Sequence, residues 1–64
     1  MPVITVMARS GVLAGKEAKA HLINELAAAF ARVVGDDAYR QKATVVIVEV
    51  PDENWGRAGR QVGS

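Results

Sequence analysis

An α+β fold built on one βαβ unit, with parallel strands and a short C-terminal hairpin, is what the sequence predicts. Three observations predict it. Two β-branched runs, Val3-Ile4-Thr5-Val6 and Thr44-Val45-Val46-Ile47-Val48, flank one long stretch whose apolar residues recur every three or four positions. A tail rich in glycine and arginine, with a single tryptophan, follows the second run. At 64 residues the chain has room for one domain, 1–64, and for little beyond these elements.

The first strand, Val3-Ile4-Thr5-Val6-Met7-Ala8, is apolar almost without alternation and is bounded by Ser10-Gly11. Such a run fits burial on both faces, as in a parallel or partner-covered sheet. From about Lys16 to Val34, the residues Ala18, Leu22, Leu26, Ala29, Phe30 and Val33 mark one helical face. Gly35 supplies the stop, and the polar stretch Asp36 to Lys42 turns the chain back. Thr44 to Val50 forms the second strand, halted by Pro51-Asp52. Strand, helix and strand joined in this way make a right-handed crossover with parallel strands. One helix covers one face of a two-stranded sheet, so the other face calls for a second subunit. In the tail, Trp55 and Val62 are bulky enough to dock a short hairpin.

Composition narrows the functions available. A chain this short buries only about 60% of the surface its unfolded form exposes, and small chains are reinforced by disulfides, metals or partners. With no cysteine and one histidine, His21, the first two have almost no material, which leaves oligomerisation. The net charge of +1 gives no field to recruit nucleic acid or an anionic membrane. No apolar run approaches the ~18 residues of a membrane span, and no signal-peptide pattern opens the chain, so a cytoplasmic location is expected.

Most catalytic patterns are missing. No phosphate-binding glycine motif stands between strand and helix, and His21 has no partner at metal-ligand spacing, so no metal or cofactor is expected. The acidic pairs Asp36-Asp37 and Asp52-Glu53 fall in turns, where carboxylates commonly serve as solvated caps. Gly56-Arg57-Ala58-Gly59 matches the KH-domain GxxG loop only formally, because that loop joins two helices.

Pro2 is different. Aminopeptidases commonly remove a start methionine that precedes proline, and Pro2 would then be a terminal secondary amine. At the head of a buried strand, desolvation and nearby cations disfavour the protonated amine, so it can act as a general base near neutrality. Arg9, Arg40, Arg57 and Arg60 are the candidates to hold a substrate carboxylate in a bidentate grip.

Pro2 ahead of a strand, one βαβ unit, and the tail Trp55-Gly56-Arg57-Ala58-Gly59 together resemble the 4-oxalocrotonate tautomerases, of the tautomerase superfamily with an amino-terminal proline. The resemblance covers the whole chain. It implies a homo-oligomer, a hexamer built as a trimer of dimers, with a hetero-oligomer as the variant. It also implies an isomerase of aromatic degradation that ketonises a 2-hydroxymuconate-like dienol carboxylate to a conjugated 2-oxo acid, with Pro2 as general acid and base. Trp55 takes the place of the aromatic residue that shapes the apolar end of the pocket.

The carry-over is incomplete. The family's first substrate-binding arginine follows the glycine after the first strand, where this chain has Val12 behind Gly11. Its second lies in the second strand, at the position of Thr44, with Lys42 two residues earlier. Arg9 falls where the related trans-3-chloroacrylic acid dehalogenases carry an arginine in one subunit, but their water-activating glutamate is replaced here by Arg57, which disfavours hydration or dehalogenation. Arg9, Arg40 and Arg57 are therefore the expected substitutes. The alternative is a non-catalytic oligomer subunit, a structural paralogue that kept the fold and lost the chemistry.

Overall fold

The structure is a computed structural model and describes residues 2–62. Met1, on whose removal the Pro2 amine depends, lies outside the described residues, as do Gly63 and Ser64 of the tail. Strands β1 (Val3–Arg9) and β2 (Thr44–Val50) pair in parallel, from Val3 opposite Thr44 to Arg9 opposite Val50. Backbone hydrogen bonds extend the ladder at both ends: the Thr44 N–H donates to the Pro2 carbonyl at 2.9 Å, and the Ser10 N–H to the Val50 carbonyl at 3.2 Å. Helix α1 (Gly15–Val34) makes the crossover, as parallel pairing requires. It ends at Gly35, whose φ of 83° lets its N–H and that of Asp36 both reach the Ala31 carbonyl, at 2.9 and 3.2 Å.

The segment expected to be a plain polar turn contains a second, one-turn helix, α2 (Tyr39–Lys42). It folds back onto α1, where the Tyr39 ring packs against Phe30 with centroids 6.0 Å apart and Lys42 Nζ lies 5.1 Å from the Tyr39 ring centre. The buried positions of α1 are Ala27 and Ala31. Val33, assigned to the apolar face by its spacing, is instead 86% exposed. Helix α1 spans about 30 Å and the seven-residue strands about 23 Å, so the helix is longer than the sheet it crosses and correct spacing alone does not secure cover for every residue of its apolar stripe.

Only one face of the sheet is covered within the chain. Along β1, Val3, Thr5, Met7 and Arg9 are exposed, while Ile4, Val6 and Ala8 are half-buried toward α1. Val46 and Val48 of β2 share the open face with them, in register with Thr5 and Met7. No side chain larger than alanine is buried among the described residues. The radius of gyration is 14.6 Å, against about 11 Å for a compact domain of this length. With extents of 43 × 26 × 15 Å, the molecule is a plate one helix layer and one sheet layer thick.

After β2, a 3-10 turn (Asp52–Asn54) leads into the predicted hairpin, formed by β3 (Gly56–Arg57) and β4 (Arg60–Gln61). The Val62 N–H donates to the Trp55 carbonyl at 2.8 Å and closes its base. The two-residue turn, Ala58-Gly59, has φ of 53° and 80°, the pattern of a type I′ turn. Glycine adopts this conformation freely; alanine does so at a cost. Asparagine, which tolerates the left-handed region, should relieve that cost: Ala58→Asn is expected to stabilise the fold by about 0.5–1 kcal/mol, a rise of about 3–6 °C in thermal midpoint measured by circular dichroism.

Candidate active site

Parallel pairing separates the candidate residues into two groups. Pro2 stands at the opening end of the sheet, half-buried, with its carbonyl fixed by Thr44. Arg9, seven residues on, ends β1, so the two Cα atoms are about 23 Å apart along an extended strand. Trp55 and Arg57 follow β2 and lie at the closing end with Arg9. One copy of the chain does not bring Pro2 and Arg9 into a single site.

At the closing end the geometry is well defined. Arg9 Nε donates to Asp52 Oδ1 at 2.8 Å and Nη2 to Oδ2 at 2.6 Å, a bidentate pair between two partly exposed side chains. The sequence reading left Asp52 as a solvated cap; it is the partner of Arg9, across 43 positions of sequence. No local signal could have shown this, because the register of β1 against β2 is what places Arg9 beside the turn after Val50. Trp55 is half-buried and its indole Nε1 donates to the Val50 carbonyl at 3.0 Å, which seats the ring against the end of β2. Gln61 Nε2 donates to the Glu53 carbonyl at 2.9 Å and ties the hairpin to the 3-10 turn.

Arg57 and Arg60 face each other across the hairpin, both exposed. Like charges directly opposite repel, so an anion between them would relieve the pairing. Arg40 is directed elsewhere, with its Nη2 donating to Asn24 Oδ1 of α1 at 3.3 Å. It lines a groove of about 340 Å³ between α1 and α2, shared with Ala28, Ala31, Arg32 and Asp37 on the helix side of the chain. His21 is on the surface, 3.9 Å from Glu25, and takes no part in either group.

A second ion pair braces the layers. Lys19 of α1 bonds to Glu49 of β2, so one acid ties helix to strand. The described residues contain no cluster of His, Cys, Asp or Glu able to hold a metal, and no helix among them is long and apolar enough to cross a membrane.

Comparison with known proteins fits this architecture. A family model described as tautomerase enzyme matches residues 2–64. The chain belongs to the tautomerase family. Its fold is shared with the crystal structure of apo unfused 4-OT, which is 30% identical, with a TM-score of 0.76 over 95% of this chain and 93% of that one. TomN, a 4-oxalocrotonate tautomerase homologue in the tomaymycin biosynthetic pathway, is also 30% identical, with a TM-score of 0.78 over 95% and 88% of the two chains. A further 4-oxalocrotonate tautomerase homologue is 26% identical, with a TM-score of 0.73 over 95% and 90%. A search of curated proteins returned no match.

Arg9, through its bonds, holds the Asp52 carboxyl below its ordinary value, and Lys19 does the same for Glu49. A depressed acid stabilises the fold above its unfolded pKa and ceases to do so as pH falls through the folded one. Thermal stability of this tautomerase-family chain is therefore expected to hold above the ordinary values of 4.5 for Glu49 and 3.8 for Asp52 and to fall as pH drops below them. Glu49→Gln should lower the midpoint at pH 7 and flatten the acid limb. An acid limb unchanged in that variant would show that the pair contributes nothing.

Proposed function

We propose that this chain is a tautomerase that converts a 2-hydroxymuconate-like dienol carboxylate to a conjugated 2-oxo acid, with the Pro2 amine as general acid and base once Met1 is removed. The supporting observation is Pro2 itself: the family match runs from this residue, and it opens β1 with its carbonyl fixed by Thr44. An α-amino group ordinarily titrates near 8, so part of the population is basic at neutral pH. Pro2 takes the proton of the substrate hydroxyl as that oxygen becomes a carbonyl. The electron pair moves along the diene, and the prolinium returns the proton to the distal carbon. No cofactor enters the balance. The dienol is a small molecule, and the site has no role for nucleic acid or membrane.

The carboxylate grip comes from a second copy of the chain. Pro2 and Arg9 lie at opposite ends of one strand, so two sheets joined through their open faces in opposite directions would set Pro2 of one copy beside Arg9, Trp55 and Arg57 of the next. Val3, Met7, Val46 and Val48 supply the apolar contact, each worth about 1 kcal/mol when buried. A homo-oligomer, a hexamer of three such dimers, is the assembly this reading carries, and a mixed assembly of two kinds of chain is its variant. Arg40, turned toward α1, would serve a neighbour across the helix layer. A cytoplasmic location belongs to the same reading.

One observation favours the competing reading of a non-catalytic subunit: Arg9 is already engaged by Asp52. Intact mass and an ultraviolet assay of 2-hydroxymuconate ketonisation on the same natively expressed sample decide between them. A mass lacking methionine, with turnover, is expected. Pro2→Ala should then reduce turnover by about 10²–10⁴-fold while sedimentation is unchanged. Activity that survives this substitution would end the proline mechanism. Met7→Lys, on the open face, should shift the sedimentation profile toward the monomer; an unaltered oligomer would place the interface elsewhere.

A further inference from the structure

The Arg9–Asp52 pair is unusual in what it leaves open. A guanidinium carries five N–H groups in one plane. Asp52 takes the side edge, Nε and one hydrogen of Nη2, at 2.8 and 2.6 Å. The end edge, formed by Nη1 and the second hydrogen of Nη2, has no partner among the described residues, and half of the Arg9 side chain is exposed. That edge is itself a parallel fork of the width a planar carboxylate accepts.

Both members of the pair are fixed to backbone. Arg9 ends β1, where the next N–H, that of Ser10, is bonded to Val50. Asp52 opens a 3-10 turn in which the Asn54 N–H donates to the Pro51 carbonyl at 2.9 Å and the Trp55 N–H to the Asp52 carbonyl at 3.1 Å. The acceptor therefore stands on a bonded turn, itself pinned by the Trp55 indole. A long arginine side chain free in solvent samples many rotamers; this one is held in a single orientation before any ligand arrives.

We infer that Asp52 is a positioning residue, which grips Arg9 by its Nε edge and presents the Nη1/Nη2 edge to a carboxylate ligand at the closing end of the sheet. Asp52 acts through Arg9 and does not touch the ligand. The inference rests on the tautomerase reading only in taking that ligand to be the substrate's carboxylate. Because Asp52 also offsets the charge of Arg9, the site selects by shape: a flat carboxylate fits the edge, whereas chloride gains little from a nearly neutral pair.

Sorbate, a flat, unreactive dienoate, is the probe, with chloride as the comparison, and the readout is the Arg9 Nε–H resonance of the full chain in nitrogen-edited NMR. Sorbate should move this signal saturably and chloride should not. Asp52→Asn should weaken sorbate about five- to tenfold and raise KM for the dienol by a similar factor, with kcat within about twofold. Asp52→Glu should recover part of the loss, and Arg9→Lys, which keeps the charge without the planar edge, should bind sorbate as weakly as Asp52→Asn. An Arg9 signal indifferent to sorbate, or Asp52→Asn binding as tightly as the parent with only its melting temperature lowered, would overturn the inference. Sorbate binding as described in a chain that does not ketonise dienols would uphold Asp52 and sink the tautomerase reading; turnover with no response at Arg9 would do the reverse.

Discussion

Parallel pairing of β1 with β2 is the constraint on which everything else in this chain depends. Parallel strands begin at one end of a sheet and finish at the other, so whatever precedes them gathers at the first end and whatever follows them at the second. Pro2 and the approach to Thr44 share the opening end; Arg9, Asp52, Trp55 and the hairpin share the closing end. An antiparallel pairing of the same two strands would have set Pro2 beside the tail. The crossover demands α1, and α1 in turn covers one face of the sheet and leaves the other open. Division of the site and openness of the face thus have a single cause.

The energetics follow from the same geometry. With a sheet of two strands and one covering helix, few side chains can be surrounded, and among the described residues only two alanines of α1 are buried. Cohesion within the chain comes from half-buried aliphatic contacts, the backbone ladder and a few bridging side chains. Lys19 with Glu49 spans the two layers, and Arg9 with Asp52 spans the end of the sheet and the turn. These pairs are exposed, so they direct the geometry of loops and turns more than they hold the layers together.

Much of this could be read in the sequence because it is local. The β-branched runs, the three-and-four spacing of α1 and the Gly35 stop each express a preference of a few neighbouring residues, and each lies where those preferences put it. The family was legible for a different reason, as the types and places of Pro2 and Trp55 in the element order resemble it. What could not be read depends on contacts across the chain. Val33 has correct helical spacing, but its exposure depends on which parts of the helix the rest of the chain covers. The single turn of α2 follows from Phe30 meeting Tyr39, and the role of Asp52 from the strand register. A carboxylate after a proline looks the same whether it faces water or a guanidinium 43 positions away.

The coexistence of exposed ion pairs at the edges and an apolar stripe across the open face has a consequence for the solvent this protein works in. Added sodium chloride screens charges in water, with a Debye length of about 8 Å at physiological strength, and loosens the turn at the closing end. Sulfate screens too, but it is excluded from protein surface and strengthens apolar contact. The two salts therefore act alike on the ends of the plate and differently on its face. The identity of the salt, as distinct from its ionic strength, therefore sets how strongly the open face favours burial.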